Sequence, residues 1–355
     1  MAAKSWMIYG AYGYTGSLIA EEAVRRGLKP LLSGRSEGKL APMADRLGLR
    51  HVTVDLGDEV QLRSALEGVD LVLNAAGPFI HTAPVMLRQC LQAGTNYLDI
   101  SGETQVIEET FTLDQHARKA GITIIPGVGF NVLASDCLAS YVADQVHRPT
   151  QLEIATRWIS DSTSPGSVKT MIETFPLGTL ARREGKLVRI NARAGLRRQR
   201  FMSGVSTVMP APLGDLATAY RTTQIPNITT YTAVPEGTAR FYSLSVPILR
   251  RLYSVSFIRR MASKWVDTTS GSEGSRADKE ASQVWALARN DQGLKYQAWL
   301  ETVDSYLFTA EAAVRSVESL IAEQRAGVST PAMAFGADFV LEIPGSKRVD
   351  RLEDA

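Results

Sequence analysis

The sequence predicts an α/β fold in which a Rossmann-type, doubly wound parallel sheet is joined to a second α+β domain with a mixed or antiparallel sheet. Three observations predict it. A glycine-rich turn at residues 10–16 links an apolar strand to a helix, and short apolar strands then alternate with helical segments up to about residue 130. From about Asp144, strand-like segments follow one another with Pro and Gly between them. We expect a nucleotide-binding domain at residues 1–130, a second domain at 131–305 and a final helix and tail at 306–355.

The opening turn predicts a phosphate-binding loop. Gly10 permits the tight turn, Gly13 lets the backbone approach a ligand, and Gly16 lets the following helix pack closely on the strand. The N–H groups of the turn and the helix dipole then face a phosphate. A surface turn can also be rich in glycine, but a position inside a βαβ unit favours a dinucleotide. The predicted contacts are Gly10, Tyr12, Gly13, Tyr14, Thr15 and Gly16.

The end of the second predicted strand indicates which dinucleotide binds. An NAD site usually has Asp or Glu here, which accepts hydrogen bonds from the ribose hydroxyls. In this sequence Gly34 and Arg35 follow the strand, and a guanidinium suits a 2′-phosphate. Ser36 adds a hydroxyl and Lys39 a charge, although Glu37 lies among them and solvated loop charges are the alternative. NADP(H) is therefore the predicted cofactor.

The later strand ends carry small residues at the same edge of the sheet, where ligands bind in such folds. Asp55 and Leu56 are expected to meet the adenine. The small residues at 74–77 are expected to let the cofactor pass, and Pro78 and Phe79 to form an apolar wall against the nicotinamide ring. The alternative is that this stretch is only a turn before the helix at 82–93. The predicted strands are 29–33, 51–55, 70–74, 96–100 and 123–126, with a helix at 105–120. The further predicted cofactor contacts are Ala75, Ala76, Gly77, Pro78, Phe79, Ser101 and Gly102.

Several segments resemble the saccharopine dehydrogenase-like oxidoreductases, which include saccharopine reductase and the trans-acting enoyl reductases. The resemblance spans nearly the whole chain and implies NADPH binding, together with a second domain that carries the substrate and often a dimer interface. Its segments are residues 10–16, 74–79, 97–103, 127–139, 212–220, 225–227, 330–332 and 335–336.

One position departs from saccharopine reductase, which carries an Asp where this chain has Asn131. An amide lacks the charge that would pair with an α-ammonium group, so saccharopine-type chemistry is in doubt. We expect Phe130 and Asn131 to contact the substrate. Asp136, close by, is interpreted as a helix-end residue.

The second domain is predicted mainly from strand-like segments. Arginines cluster between residues 182 and 200, where solvated strand edges or an anion-binding face explain them. Residues 241–266 form a basic, amphipathic stretch that either packs on the domain or meets a membrane surface or apolar substrate, and 268–275 is a candidate lid. The predicted strands are 150–159, 186–193, 199–208, 227–233, 283–287 and 295–301, a Ser/Pro/Gly loop is expected at 160–167, a helix at 308–324, and a frayed tail over about the last ten residues.

Composition excludes some classes of partner. Apolar residues are 45% of the chain, charged residues are 21% and the net charge is +2, so nothing points to nucleic acid. Cys90 and Cys137 lie in apolar helical contexts and are expected to be buried thiols. No signal-like segment and no apolar run of about 18 residues is present, so we expect a cytoplasmic protein with at most peripheral membrane contact. The resemblance implies a homodimer that acts on a small, apolar substrate, and a helix at 308–324 that returns to the nucleotide-binding domain and packs there.

The chemistry suggested is hydride transfer, in which the cofactor and substrate positioning do most of the work. The sequence has no Tyr-x-x-x-Lys pair, no H-E-x-x-H metal motif and no P-loop, so no metal is expected. The candidate proton donors are His81, Tyr97, Ser101 and Glu103. The leading hypothesis is reduction of a conjugated C=C bond; the alternatives are a C=N (imine) reductase or amino-acid-type dehydrogenase and a noncatalytic NADP sensor.

Overall fold

The structure is a computed structural model. It describes residues 5–158, 165–191, 195–235 and 281–352, together with positions 251, 253, 255, 258, 259 and 261. The predicted lid at 268–275 and nearly all of the amphipathic stretch at 241–266 lie outside the described residues.

The amino-terminal part contains a seven-stranded, all-parallel sheet in the order β15-β6-β5-β4-β1-β2-β3. Alternate residues of its central strands bury against opposite helical layers: Ile8 and Leu73 face one apolar core, and Met7 and Val72 face the other. The sheet is thus doubly wound, as predicted. Its strands are β1 (Trp6–Tyr9), β2 (Leu31–Gly34), β3 (His51–Thr53), β4 (Leu71–Asn74), β5 (Asn96–Asp99), β6 (Thr123–Ile125) and, numbered by its place in the chain, β15 (Gly327–Val328).

Helices connect these strands, and two of them differ from prediction. The helix expected at 82–93 begins earlier, at Phe79, because the Glu103 carboxylate accepts hydrogen bonds from its first N–H groups. The helix expected at 105–120 is two helices, since Thr112 bonds back to Glu109 and the chain turns there. The helices are α1 (Tyr14–Arg25), α2 (Glu37–Leu47), α3 (Glu59–Leu66), α4 (Phe79–Ala93), α5 (Thr104–Phe111), α6 (Asp114–Ala120) and α7 (Ser135–Asp144).

The second sheet is mixed, as predicted. Its main path is β10-β11-β12-β7-β13-β14-β16, in which β12 and β7 are parallel and the other pairs antiparallel, and β8 with β9 joins through β12. The strands are β7 (Gln151–Arg157), β8 (Leu180–Arg183), β9 (Lys186–Arg189), β10 (Arg197–Phe201), β11 (Gly204–Pro210), β12 (Asn227–Val234), β13 (Ser282–Arg289), β14 (Lys295–Thr302) and β16 (Lys347–Val349).

Three predictions for this part are wrong. The single strand expected at 199–208 is a hairpin, because Gly204, at φ +122°, lets the chain reverse. The loop expected at 160–167 gives way to a helix from Pro165 onward. The tail is not frayed throughout: Val349 pairs with Trp299 in the sheet, and Arg348 lies over the ring of Tyr141.

The remaining helices bring the two sheets together. The helix predicted at 308–324 is Ser305–Ala322, and its buried face packs on α1, where Arg26 bonds Glu311 and Glu318. β15 then joins the first sheet and β16 the second. Among the described helices, none has the length and apolarity to cross a bilayer. These helices are α8 (Pro165–Thr174), α9 (Asp215–Thr223), α10 (Ser305–Ala322) and α11 (Pro331–Phe335), and a π-helical turn spans Phe130–Ala134.

Candidate functional site

Two glycines of the turn between β1 and α1, Gly10 and Gly16, have no room for a side chain. A Cβ on Gly16 would lie 2.2 Å from the carbonyl oxygen of Gly10, so this glycine sets the close approach of helix and turn. Gly10 has φ +84°, and a Cβ there would lie 2.9 Å from the Cβ of Ala76. The turn is therefore held by backbone contact, which leaves its outer surface to a ligand.

The start of α1 has the properties of an anion site. Gly13 is its N-cap, no side chain caps it, and no acidic residue stands in its first turn. The positive end of the helix dipole is thus uncompensated by the protein's own side chains. Thr15 lies half-buried in this turn, whereas Tyr14 makes an edge-to-face contact of 4.9 Å with Tyr306 of α10.

The end of β2 forms a cationic surface. The ring of Tyr12 covers Gly34, where a Cβ would lie 2.7 Å from Tyr12 Cε1. Lys39 Nζ lies 5.6 Å from the centroid of the same ring, and Arg35 is exposed. Among the described residues, no carboxylate forms an ion pair with Arg35 or Lys39, so both charges are available to a phosphate. Ser36, the N-cap of α2, is half-buried beside them.

Glu37, which seemed out of place among these cations, turns towards β3. One carboxylate oxygen lies 3.0 Å from His51 Nε2, and the other accepts a hydrogen bond from Thr53 Oγ1. The hydrogen bonds from Thr53 and His51 lower the pKa of Glu37. The residues predicted to meet adenine follow β3: Asp55 is exposed and accepts from the Gly57 N–H at 2.8 Å, and Leu56 is half-buried.

The crevice is defined here as the space at the carboxyl ends of the parallel strands of the first sheet, and a buried hydrogen-bond network lies beneath it. Asn74 accepts from the Ala76 N–H at 3.0 Å and donates to the Tyr97 hydroxyl at 3.2 Å. Tyr97 in turn donates to Asp99 at 2.9 Å, and Asp99 accepts two backbone N–H bonds, from Ser101 and Gly127, at 2.9 Å each. Burial raises the pKa of both Tyr97 and Asp99. This network ties together the ends of β4, β5 and β6.

Two of the predicted proton donors belong to this interior. Tyr97 has no exposed surface, and its hydroxyl is engaged on both sides, so the structure argues against proton donation to a substrate. Glu103 is 2% exposed and accepts hydrogen bonds from the N–H groups of Phe79 and Ile80 and from the Thr170 hydroxyl, at 2.8, 2.9 and 3.1 Å. Burial raises the pKa of Glu103. It caps α4 and joins α8 to the first domain.

His81 differs from both, because its side chain is 62% exposed. Its Nε2 lies 3.6 Å from Glu173 of α8, and Glu173 also pairs with Arg259 at 3.1 Å. On the same helix, Thr170 Oγ1 lies near Gly77 and bonds Glu103. Thr170 and Glu173 were missed from the sequence, which offers no motif that would place α8 beside this stretch.

The small-residue stretch after β4 is split between surface and core. Gly77 is exposed, and Ala75, Ala76 and Pro78 are half-buried. Phe79, predicted as part of an apolar wall, is 7% exposed and packs mainly in the core of the first domain, so only a small part of its side chain is left for that role. After β5, Ser101 is buried and Gly102 half-buried.

The two predicted substrate residues differ in exposure. Phe130 is 1% exposed, lies edge-on to Phe308 at 5.6 Å and donates its N–H to Thr309, so it belongs to the core. Asn131 is exposed in the π-helical turn, a backbone feature frequent at functional sites. A Cβ on Gly102 would lie 2.9 Å from the Cβ of Asn131, so the two strand ends meet there.

A second buried acidic pair lies behind the crevice. Asp136 accepts from Thr222 at 2.8 Å and from the Ala332 N–H at 2.9 Å, and Asp215 accepts from Ser135. Both carboxyls are fully buried, and burial raises the pKa of Asp136 to about 6 and of Asp215 to about 7. The sequence interpretation of Asp136 as a helix-end residue missed its contacts with α9 and α11.

The residues present fit a dinucleotide phosphate: a turn in which Gly10 and Gly16 have no space for a Cβ atom, a helix start without a side-chain cap, and two cations that have no acidic partner among the described residues. Residues 6–125 match the family model described as the saccharopine dehydrogenase NADP binding domain. This part of the chain is similar to saccharopine dehydrogenase NADP-binding domains. The predicted cofactor, NADP(H), is thereby confirmed for the domain family. Within the described part of the chain, no group of three potential metal ligands is found.

Relatives extend the likeness at low identity. The saccharopine dehydrogenase-like oxidoreductase of Bos taurus is 25% identical over 161 residues, which cover 40% of this chain and 38% of that protein. A Mycobacterium tuberculosis protein with the provisional name trans-acting enoyl reductase is 27% identical over 182 residues, 48% of this chain and 43% of that protein. The chain thus spans about two fifths of the length of these curated relatives.

The likeness to a solved structure reaches further. The apo structure of saccharopine dehydrogenase (L-Glu forming) from Saccharomyces cerevisiae has a TM-score of 0.69 at 12% identity, and covers 98% of this chain and 100% of that one. At this identity the match shows the fold alone. It confirms the predicted combination of a parallel nucleotide-binding sheet with a second, mixed sheet.

Proposed function

We propose that this chain is an NADPH-dependent oxidoreductase that reduces a conjugated C=C bond in an apolar substrate. The observation that carries the proposal is the state of the acids around the crevice. Asp99 and Glu103 are buried and bonded to protein donors, while the exposed residue beside Gly102 is the neutral Asn131. An amino-acid substrate would need a free carboxylate for its ammonium group. The name of the Mycobacterium tuberculosis relative supports the same reaction class.

The chain's own contribution is binding and proton supply. The turn at Gly13 and the cations Arg35 and Lys39 would hold the phosphates, and NADPH, when bound, supplies the hydride. His81 is the candidate proton donor whose side chain is exposed to solvent. In the protonated ring the Nε2–H group faces Glu173, so the Nδ1 proton is the one that would pass to the substrate, leaving a neutral imidazole.

The test is NADPH oxidation with enoyl thioesters and enones, run beside cyclic imines and amino-acid Schiff bases. Turnover of the first group supports the proposal. Turnover of the second group alone would make the protein a C=N reductase. Tight NADPH binding with no turnover of any acceptor would instead favour a noncatalytic sensor.

A further inference from the structure

Glu37 is the one acidic residue between positions 34 and 39, where the adenosine ribose end of the cofactor site lies. It is the first residue of α2, and its side chain is 62% exposed, so burial does not fix the side-chain conformation. Both of its carboxylate oxygens are nevertheless engaged by β3, one by His51 and the other by Thr53. A carboxylate bonded at both oxygens to a strand is fixed in orientation as well as position.

The consequence concerns the neighbouring cations. A carboxylate at the end of β2 is what a site uses to bind the free ribose hydroxyls of NAD. The same carboxylate, if free to pair with Arg35 or Lys39, would neutralise the charge needed for a 2′-phosphate and repel that phosphate. In the structure it pairs with neither, and both cations lack an acidic partner among the described residues.

We propose that His51 and Thr53 are positioning residues that set the preference for the phosphorylated cofactor, by holding Glu37 against β3 and away from Arg35 and Lys39. The inference rests on the NADP site of the proposed function and not on the reaction. It assigns a specificity role to two strand residues that would not touch the cofactor's phosphate themselves.

The experiment is a cycle of variants measured by calorimetric titration with NADPH and with NADH, without any acceptor. Thr53→Val keeps the shape of the side chain and removes the hydroxyl, and His51→Ala removes the ring. The double variant should bind NADPH about five- to tenfold more weakly, as expected for one unscreened like charge near the phosphate, while NADH binding stays level or improves.

A third substitution tests whether His51 and Thr53 act by positioning Glu37 or merely support the local structure. Adding Glu37→Gln to the double variant should restore NADPH affinity to within about twofold of the unaltered protein, because the repelling charge is gone. Alone, Glu37→Gln should change NADPH affinity little. Glu67→Gln is the matched control, because Glu67 is an exposed acid that precedes β4 and so lies at the amino ends of the strands, away from the cofactor site.

Two results would overturn the inference. One is a double variant whose ratio of NADPH to NADH affinity equals that of the unaltered protein. The other is a loss that Glu37→Gln does not reverse, which would make His51 and Thr53 merely structural. If the unaltered protein bound neither NADPH nor NADH, both the proposed cofactor site and this inference would be wrong. No turnover is measured, so the outcome is separate from the fate of the proposed C=C reduction.

Discussion

The floor and the rim of the crevice use similar residues for different purposes. The floor, defined as Asn74, Tyr97, Asp99 and Glu103, is buried, and its polar groups bond protein donors and acceptors. The rim, defined as Arg35, Lys39, His81 and Asn131, is exposed. Both sets belong to strands of one sheet or to the segments that follow those strands. The comparison teaches that a polar residue at a strand end acts on a ligand only if the fold has not already used its hydrogen-bonding groups.

The largest expected effect comes from the floor. Asp99→Ala removes the acceptor of three donors, from Tyr97, Ser101 and Gly127, and leaves them buried without partners. We expect the free energy of unfolding to fall by about 4 kcal/mol in urea titrations. Asp99→Asn keeps one oxygen and should cost about half as much. A loss below about 1 kcal/mol for the alanine variant would show that the floor is not a structural network.

The buried carboxyls of Asp136 and Asp215, behind the floor, should make the stability of the protein depend on pH. Because burial raises the pKa of Asp215 to about 7, the folded state retains a proton that the unfolded state loses near its ordinary pKa of 3.8. Stability from this group is therefore full below pH 4 and is lost as pH rises to about 7. Asp215→Asn cannot titrate but still accepts from Ser135.

The variant's stability relative to the unaltered protein should therefore increase between pH 5 and pH 8, on the order of 3 kcal/mol. Chemical unfolding at the two pH values measures it. Asp136, with its pKa raised to about 6, makes both proteins less stable as pH rises and therefore does not add to the difference between them. Parallel pH profiles for the two proteins would contradict the account.

On the rim, His81→Gln should lower kcat about a hundredfold, as is usual for a lost proton donor, while leaving NADPH affinity and the melting temperature unchanged. His116→Gln, an exposed histidine on α6, is the matched control. Steady-state kinetics with an accepted enone measures the effect. An unchanged kcat would move proton supply to solvent or to the substrate.

Arg35→Ala should give the smallest effect of the series. It loses a charge-assisted contact worth about 1.5–3 kcal/mol in NADPH binding and leaves NADH binding nearly unchanged. Arg46→Ala removes a cation from the other end of α2 and should alter neither. Calorimetric titration decides; equal losses for the two cofactors would reject the phosphate contact.

The sequence predicted the parallel sheet, its glycine turn and the mixed second sheet, because periodicity and glycine spacing are local signals. It did not separate floor from rim. Nothing local distinguishes Tyr97 from His81, since burial depends on which strands become neighbours. The contacts of Glu103 with α4 and of His81 with α8 join residues far apart in sequence, and no short motif encodes them.

Titration of the purified protein with NADPH, beside a Gly13→Val variant, tests the central claim most directly. Gly13 has extended backbone angles that valine adopts, but the new side chain would occupy the surface where the phosphate binds. We predict one NADPH per chain for the unaltered protein, bound more tightly than NADH, and loss of that binding in the variant with folding retained. An unaltered protein that ignores NADPH, or a Gly13→Val variant that binds it equally well, would contradict the account.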